Sequence, residues 1–118
     1  MRILTEFGLG TSLRRGDYTE AAVRALRDAL WKASINAAEW LGQAKSDMRL
    51  TVQVAVQQPD LVDATRLTEV FPYGKAEVTV GFGGLDVPRP EGQGNPTILA
   101  HAAITVTFDA ATLEGVGT

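Results

Sequence analysis

Cysteine is absent from the 118 residues, and histidine occurs once. The missing thiol excludes disulfide bonds, thiolate metal sites, iron–sulfur clusters and a cysteine nucleophile. The single histidine, His101, excludes a histidine-rich metal site within one chain. We therefore expect neither a metal nor a cofactor.

Positive charge is also scarce. Eleven lysines and arginines stand against fourteen acidic residues, which gives a net charge of −3, whereas nucleic-acid-binding proteins usually carry a basic surplus that neutralises phosphates. No stretch approaches the roughly 20 apolar residues that cross a bilayer. The amino-terminal residues show neither the long apolar stretch nor the cleavage site of an export signal. These absences predict a cytoplasmic protein without a nucleic-acid or membrane partner.

The remaining composition is typical of a globular protein. Hydrophobic residues make up 45% of the chain and charged residues 21%, and a chain of this length usually forms one domain around one core. We expect a single α/β domain over residues 1–108 and a flexible, glycine-rich tail over residues 109–118.

Two kinds of periodicity run along the chain. Apolar residues at helical spacing, preceded by Asp17 and Glu20 at the spacing of a capping box, predict a long amphipathic helix. Apolar residues at every second position predict strands, while glycine and proline mark turns. The full prediction is strands at 2–7, 49–57, 75–82 and 98–108, a long helix at 19–35, short helices at 37–41 and 62–70, and a surface loop at 86–96.

This β-α-β-α-β-β order predicts an α/β (α+β) fold, with a small mixed four-stranded sheet that carries one long and one or two short helices on one face. Polar residues would line the other face. Two interpretations of that face stay open, because it can be solvated or can pack across a symmetry axis in a ring of subunits. Its expected residues are Thr51, Gln53, Glu77, Thr79, Thr105 and Thr107.

The loop that runs from Gly8 to Asp17, between the first strand and the long helix, is the leading candidate site. The amides and the dipole at a helix N-terminus favour an anion, and Arg14 and Arg15 add positive charge suited to carboxylate or phosphate. The spacing matches neither the dinucleotide-binding nor the Walker pattern. The simpler interpretation is a glycine-rich turn with exposed arginines. The candidate ligand-binding residues are Gly8, Gly10, Thr11, Arg14, Arg15, Gly16, Tyr73, Gly83, Gly84 and His101.

Three residues are candidates for catalysis. If Ser12 and Lys75 converged, they could act as nucleophile and base, provided that the lysine were desolvated. Glu6 could accept a proton or orient one of the two arginines. The simpler interpretations are a strand-edge lysine that discourages pairing and a solvent-facing glutamate. His101 could enter a pocket or a subunit interface, or could simply be hydrogen-bonded.

Five short blocks together resemble one known family: Glu6-Phe-Gly-Leu-Gly10, Arg15-Gly-Asp-Tyr-Thr19, Ala21-Ala-Val-Arg-Ala25, Pro72-Tyr-Gly-Lys75 and Gly83-Gly-Leu85. In order and spacing they are similar to a small family of conserved hypothetical proteins without an assigned function, which carries an N-terminal Gly-x-Gly-x-Asp-x-His-Gly motif. Ser12 and Arg14 stand here where that motif has Asp and His. The resemblance implies a shared fold and site location, with a loop that prefers anions to cations.

A weaker analogy, at the level of the fold alone, is with small trimeric α/β proteins whose active sites lie between subunits and with cyanuric acid hydrolase, which uses serine–lysine pairs with arginines. The sequence thus predicts an oligomeric protein that binds or transforms a small carboxylate, phosphate or cyclic amide at the loop. Enzymatic activity stays open; if present, a cofactor-free hydrolase or lyase with its site between subunits is expected. The alternative is a non-catalytic assembly module that forms a symmetric homo-oligomer.

Overall fold

The computed structural model describes residues 2–36, 48–71, 75–90 and 92–108. The predicted helix at 37–41 and the predicted tail lie outside these residues. Among the described helices, none combines the length and the apolar character needed to cross a membrane. The elements in chain order are β1 (Arg2–Ser12), α1 (Tyr18–Asn36), β2 (Met48–Val56), a 3₁₀ turn (Pro59–Leu61), α2 (Ala64–Thr68), β3 (Lys75–Phe82), β4 (Leu85–Val87) and β5 (Thr97–Phe108).

The strands form one mixed sheet in the order β1-β5-β2-β3. Strand β5 runs antiparallel to β1, β2 and β4, whereas β2 and β3 are parallel. The short strand β4 pairs with the beginning of β5, beyond the residues that β2 occupies. The carboxyl ends of β1, β2, β3 and β4 therefore point the same way. The predicted mixed sheet with its helices on one face is confirmed, with five strands instead of four.

Helix α1 begins where its capping spacing predicted. Asp17 Oδ1 accepts a hydrogen bond from the backbone amide of Glu20 at 3.0 Å, which satisfies one of the amides left free at a helix start. The buried stripe of the helix consists mainly of alanines, with Leu26 as its largest fully buried side chain. Small side chains let the helix lie close to the sheet. The alanines are Ala21, Ala22, Ala25, Ala29 and Ala33.

Strand β1 continues five residues beyond the predicted end at Phe7. Gly8 and Gly10 lie inside the strand and face α1. A Cβ atom on Gly8 would lie 2.2 Å from the carbonyl oxygen of Ala25, and one on Gly10 would lie 2.2 Å from the amide nitrogen of Ala25. Glycine is needed at both positions because the helix backbone approaches the strand backbone directly. The two glycines therefore allow close packing and do not end the strand.

The core lies between α1 and the helix-facing residues of β2 and β5. Their strict alternation, predicted from the sequence, is confirmed by side chains that are at most 3% exposed. Helix α2 is shorter than the predicted helix at 62–70, and it contributes the fully buried Leu67. The buried sheet residues are Leu50, Val52, Val54, Val56, Ile98, Ala100, Ala102, Ile104 and Val106.

Strand β4 replaces the beginning of the predicted loop at 86–96. Gly83 and Gly84 carry the chain from β3 past the end of β2 to β5. Gly84 has a φ angle of 65°, and a Cβ atom there would lie 2.2 Å from the carbonyl oxygen of Leu99. The side-chain amide of Gln57 donates to the carbonyl oxygens of Gly83 and Gly84 at 3.1 and 2.9 Å. This crossover is fixed by backbone conformation and by hydrogen bonds.

Candidate functional site

The predicted loop site divides into the end of a strand and a tight turn. Residues 8–12 belong to β1, so the turn itself comprises residues 13–17. Ser12 is fully buried, and its Oγ accepts a hydrogen bond from the backbone amide of Asp17 at 3.3 Å. This contact stabilises the turn and keeps the hydroxyl away from solvent. A role of Ser12 as a nucleophile stays a prediction that this geometry does not favour.

Arg14 and Arg15 are exposed on this turn. The turn is held from the opposite loop, because the side chain of Asn95 donates to the carbonyl oxygen of Arg14 at 3.2 Å. The guanidinium of Arg15 lies 3.9 Å from the carboxylate of Glu20. The carboxylate of Asp17 already caps the positive end of α1, which weakens the pull of the helix dipole on a further anion. Attraction of an anion would therefore depend on the two arginines.

Ser12 and Lys75 lie at opposite ends of the sheet. Ser12 is in register with Ile98 of β5, whereas Lys75 is in register with Arg49, which pairs with Thr107. Ile98 and Thr107 are nine residues apart along β5, which corresponds to about 30 Å. The conditional serine–lysine pair is therefore excluded within one chain. The physical reason is that β1 and β3 run in the same direction, while Ser12 is the last residue of β1 and Lys75 is the first residue of β3.

Glu6 is partly buried in the middle of β1, in register with Ile104. It precedes Ser12 by six residues, or about 20 Å along the strand. Within one chain it therefore lies too far away to orient Arg14 or Arg15, and its role as a proton acceptor stays a prediction. Tyr73 lies outside the described residues. Gly84 does lie at the same end of the sheet as the turn.

A polar cluster that the sequence analysis missed joins α1 to β4. The hydroxyl of Tyr18 donates a hydrogen bond to Asp86 Oδ2 and accepts one from the side-chain amide of Gln58 at 3.0 Å. Burial of Tyr18, reinforced by the neighbouring carboxylate, raises the pKa of its hydroxyl. Asp86 Oδ1 is buried and has no hydrogen-bond partner among the described residues. The only sequence signal is an aspartate between two apolar residues.

The sheet face opposite α1 is uncovered in the single chain. The polar residues predicted for this face are partly or fully exposed there, as expected. Large apolar side chains accompany them: Phe7 is 66% exposed, Leu9 58%, Leu85 54% and Val87 50%. The sequence does not reveal this apolar part, because its patterns predict that β1 ends at Phe7 and that a loop starts at Asp86.

A hollow of about 570 Å³ lies on this face. Two rows of residues run across four strands beneath it, and in each row the central positions include small side chains. His101 belongs to one row and faces away from Ala100 and Ala102, as predicted. The rows, in register across β1, β5, β2 and β3, are Leu9, His101, Ala55 and Gly81, and Phe7, Ala103, Gln53 and Thr79.

Backbone carbonyl and amide groups on the outer edge of β1 form hydrogen bonds with side chains of α1. Arg24 donates to the carbonyl oxygen of Thr11 at 2.8 Å, and Lys32 donates to that of Phe7 at 3.0 Å. Between them, Asp28 accepts a hydrogen bond from the amide of Leu9 at 3.0 Å. This hydrogen bond, with the nearby ammonium of Lys32, lowers the pKa of Asp28. We call these three side chains the edge ladder.

Comparison with known proteins identifies the family. The model of the Lin0512 family, which is described as a family of conserved hypothetical proteins, matches residues 2–106. The chain belongs to the Lin0512 family. A crystal structure of an FtsZ-like protein of unknown function from Nostoc punctiforme PCC 73102 has a TM-score of 0.78 to this chain at 32% sequence identity, covering 92% of this chain and 96% of the other. No curated protein matches the chain significantly.

For this Lin0512 protein, the predicted membership in a family of conserved hypothetical proteins is confirmed. The described residues contain no cluster of three or more acidic or histidine side chains arranged to hold a metal ion. The predicted site residues do not converge on one place. Arg14, Arg15 and Gly16 lie on the turn at 13–17, whereas His101 belongs to the uncovered face. Glu6 and Lys75 lie away from both the turn and His101.

Proposed function

We propose that this Lin0512 protein is a subunit of a homo-oligomer assembled through the uncovered face of its sheet. The supporting observation is the exposure of Phe7, Leu9, Leu85 and Val87, each at least half exposed on that face. Monomeric soluble proteins rarely expose large contiguous apolar patches, and patches with a polar rim mark interaction sites. Burial of a Phe or Leu side chain contributes about 1.5–3 kcal/mol.

The charge of the uncovered face favours a second copy of the chain as partner. Among the described side chains that point to this face, Arg49 and Glu77 are the charged ones. Because these two charges are opposite, the described side chains of the face carry no net charge that would repel a second copy. A strongly acidic or basic partner would meet only one opposite charge among these described side chains.

The outer edge of β1 is a poor alternative surface for assembly. Strand addition needs free backbone N–H and C=O groups at a sheet edge. Arg24, Asp28 and Lys32 occupy three such groups along β1. This leaves the apolar face as the better surface for self-association.

Size-exclusion chromatography with light scattering tests the proposal. At about 10 µM, we expect a mass that is a multiple of the 12.6 kDa chain. Leu9→Glu should shift the mass to that of the monomer, because it places a charge in an apolar interface. Trp31→Glu is the matched control, since Trp31 is 68% exposed on the helix side and its replacement should leave the mass unchanged. A monomeric wild type at this concentration would contradict the proposal.

A second candidate function is the binding of a small carboxylate or phosphate at the turn formed by residues 13–17. It is supported by the position of Arg14 and Arg15 on a turn that Asn95 and Thr97 fix through hydrogen bonds. Arg14 stands where the N-terminal motif of the family that the sequence resembles has His, and this permanent positive charge also favours an anion. Citrate and phosphate should raise the melting temperature of the wild type and of Arg27→Ala, but not of Arg14→Ala/Arg15→Ala. Equal shifts in all three proteins would exclude this candidate.

A further inference from the structure

We infer that the hollow on the uncovered face binds a planar nitrogen heterocycle, held by Gln53 and His101. This inference goes beyond self-association and does not depend on it, because every residue that forms the hollow belongs to one chain. It also differs from the anion site at the turn, which lies elsewhere on the protein.

The shape of the hollow suits a flat, mainly apolar molecule. Its floor contains Ala55, Gly81 and Ala103. These small residues leave space above the backbone at the centre of the sheet. Phe7 and Leu9 lie beside this floor and are more than half exposed. Ligand sites commonly have volumes of about 300–1,000 Å³ with apolar walls and a few polar groups, and the hollow of about 570 Å³ falls in that range.

Two polar side chains are placed to orient such a molecule. Gln53 is in register with Ala103, and His101 with Ala55, so Gln53 and His101 are diagonal neighbours across β2 and β5, about 7–8 Å apart. Both side chains are exposed, and within the described part of the chain neither forms a hydrogen bond. The alanines opposite them leave space between the two polar groups.

The chemistry of these two side chains selects the ligand class. A glutamine carboxamide presents a donor and an acceptor side by side, and it pairs in two places with a heterocycle edge that carries an acceptor and a donor, as in adenine. The imidazole of His101 adds a further donor or acceptor. The hydroxyl of Thr79 already donates to the carbonyl oxygen of Val52. No charged side chain lines the hollow among the described residues, so a phosphate or carboxylate is not favoured there.

Titration with adenine and 2-pyridone, followed through backbone amide chemical shifts of the full chain, tests the inference. We expect saturable shifts at Ala55, His101 and Ala103. Gln53→Ala and His101→Ala should each raise the Kd at least tenfold. Both side chains are exposed, so these variants should keep the melting temperature of the wild type. Gln93→Ala, in an exposed loop, is the control and should keep the wild-type Kd.

The outcomes separate this inference from the proposed oligomer. Anisole, a planar ring of similar size without a paired donor and acceptor, should bind at least tenfold more weakly than 2-pyridone. Absence of saturable shifts, equal binding of anisole, or an unchanged Kd in both variants would overturn the inference. An oligomer without heterocycle binding would overturn the inference alone. A monomer that binds heterocycles would overturn the oligomer alone.

Discussion

The helix-covered face of the sheet and its uncovered face are built from alternate residues of the same strands. In β1, Gly8 and Gly10 lie against the backbone of α1, while Phe7 and Leu9 between them point to the open side. The covered face leaves no room for a single extra carbon at its closest points. The uncovered face has a hollow and exposed apolar side chains. This difference implies that one face determines the stability of the fold and that the other is available for contacts with partners.

The largest expected effect comes from truncation of the core. Leu26 is fully buried on α1, and Leu26→Ala should lower the free energy of unfolding by about 3 kcal/mol, because it removes apolar burial and leaves a cavity. The corresponding change on the other face, Leu9→Ala, should cost less than about 1 kcal/mol under conditions where the protein is monomeric. Urea denaturation measures both values. Equal losses would remove the distinction between the two faces.

Glycine replacement probes the same contrast through steric fit. Gly10→Ala places a Cβ atom against the backbone of α1 and should cost about 2 kcal/mol. Gly81→Ala, on the uncovered face, places its Cβ where no atom lies within 4 Å and should change the free energy of unfolding by less than about 0.5 kcal/mol. Parallel urea titrations give the comparison. A Gly10→Ala protein as stable as Gly81→Ala would show that α1 can move away from β1.

The Tyr18–Asp86 hydrogen bond joins α1 to β4 on the covered side, and its removal measures how much this contact stabilises the fold. Tyr18→Phe removes the donor to a partly buried carboxylate and should cost about 1.5 kcal/mol. In an Asp86→Ala background the same replacement should cost much less, because no carboxylate is then left without a donor. A double-mutant cycle from thermal or urea unfolding measures the coupling. Additive losses would mean that the two side chains act independently.

The smallest effect concerns Asp28 in the edge ladder. Its folded pKa is lowered, first by the amide of Leu9 and then by Lys32, so its ionised form stabilises the fold above the unfolded pKa of about 3.9. This contribution is lost as the pH falls through the folded pKa. The difference in urea midpoint between the wild type and Asp28→Asn should therefore be larger at pH 7 than at pH 3. A constant difference would contradict the assignment.

The sequence predicts elements with regular periodicity well. The alternating residues of β3 predict its bounds, Lys75–Phe82, and the capping spacing of Asp17 and Glu20 places the start of α1 within one residue. Strand β4 has three residues, too few for a pattern. Gly8 and Gly10 wrongly predict the end of β1, because in the sequence a glycine in a turn cannot be told from a glycine packed under a helix.

The candidate site is harder to predict because it depends on pairs that are distant in the chain. Tyr18 and Asp86 are separated by 68 positions, and no local pattern connects them. The serine–lysine hypothesis required Ser12 and Lys75 to meet, but the parallel direction of β1 and β3 separates them. Alternation alone predicts the correct face for His101, whereas the hollow beside it arises from the register of four strands.

The edge ladder has a consequence for aggregation. Strand β1 combines two exposed apolar side chains, Phe7 and Leu9, with a position at the end of the sheet, and this combination promotes the stacking of strands into cross-β fibrils. Arg24, Asp28 and Lys32 satisfy outward backbone groups of β1 as an adjacent strand would. Side chains of α1 thus occupy the positions at which a further strand would form hydrogen bonds with β1. The fold can expose apolar groups for reversible contacts while protecting this edge from irreversible growth of the sheet.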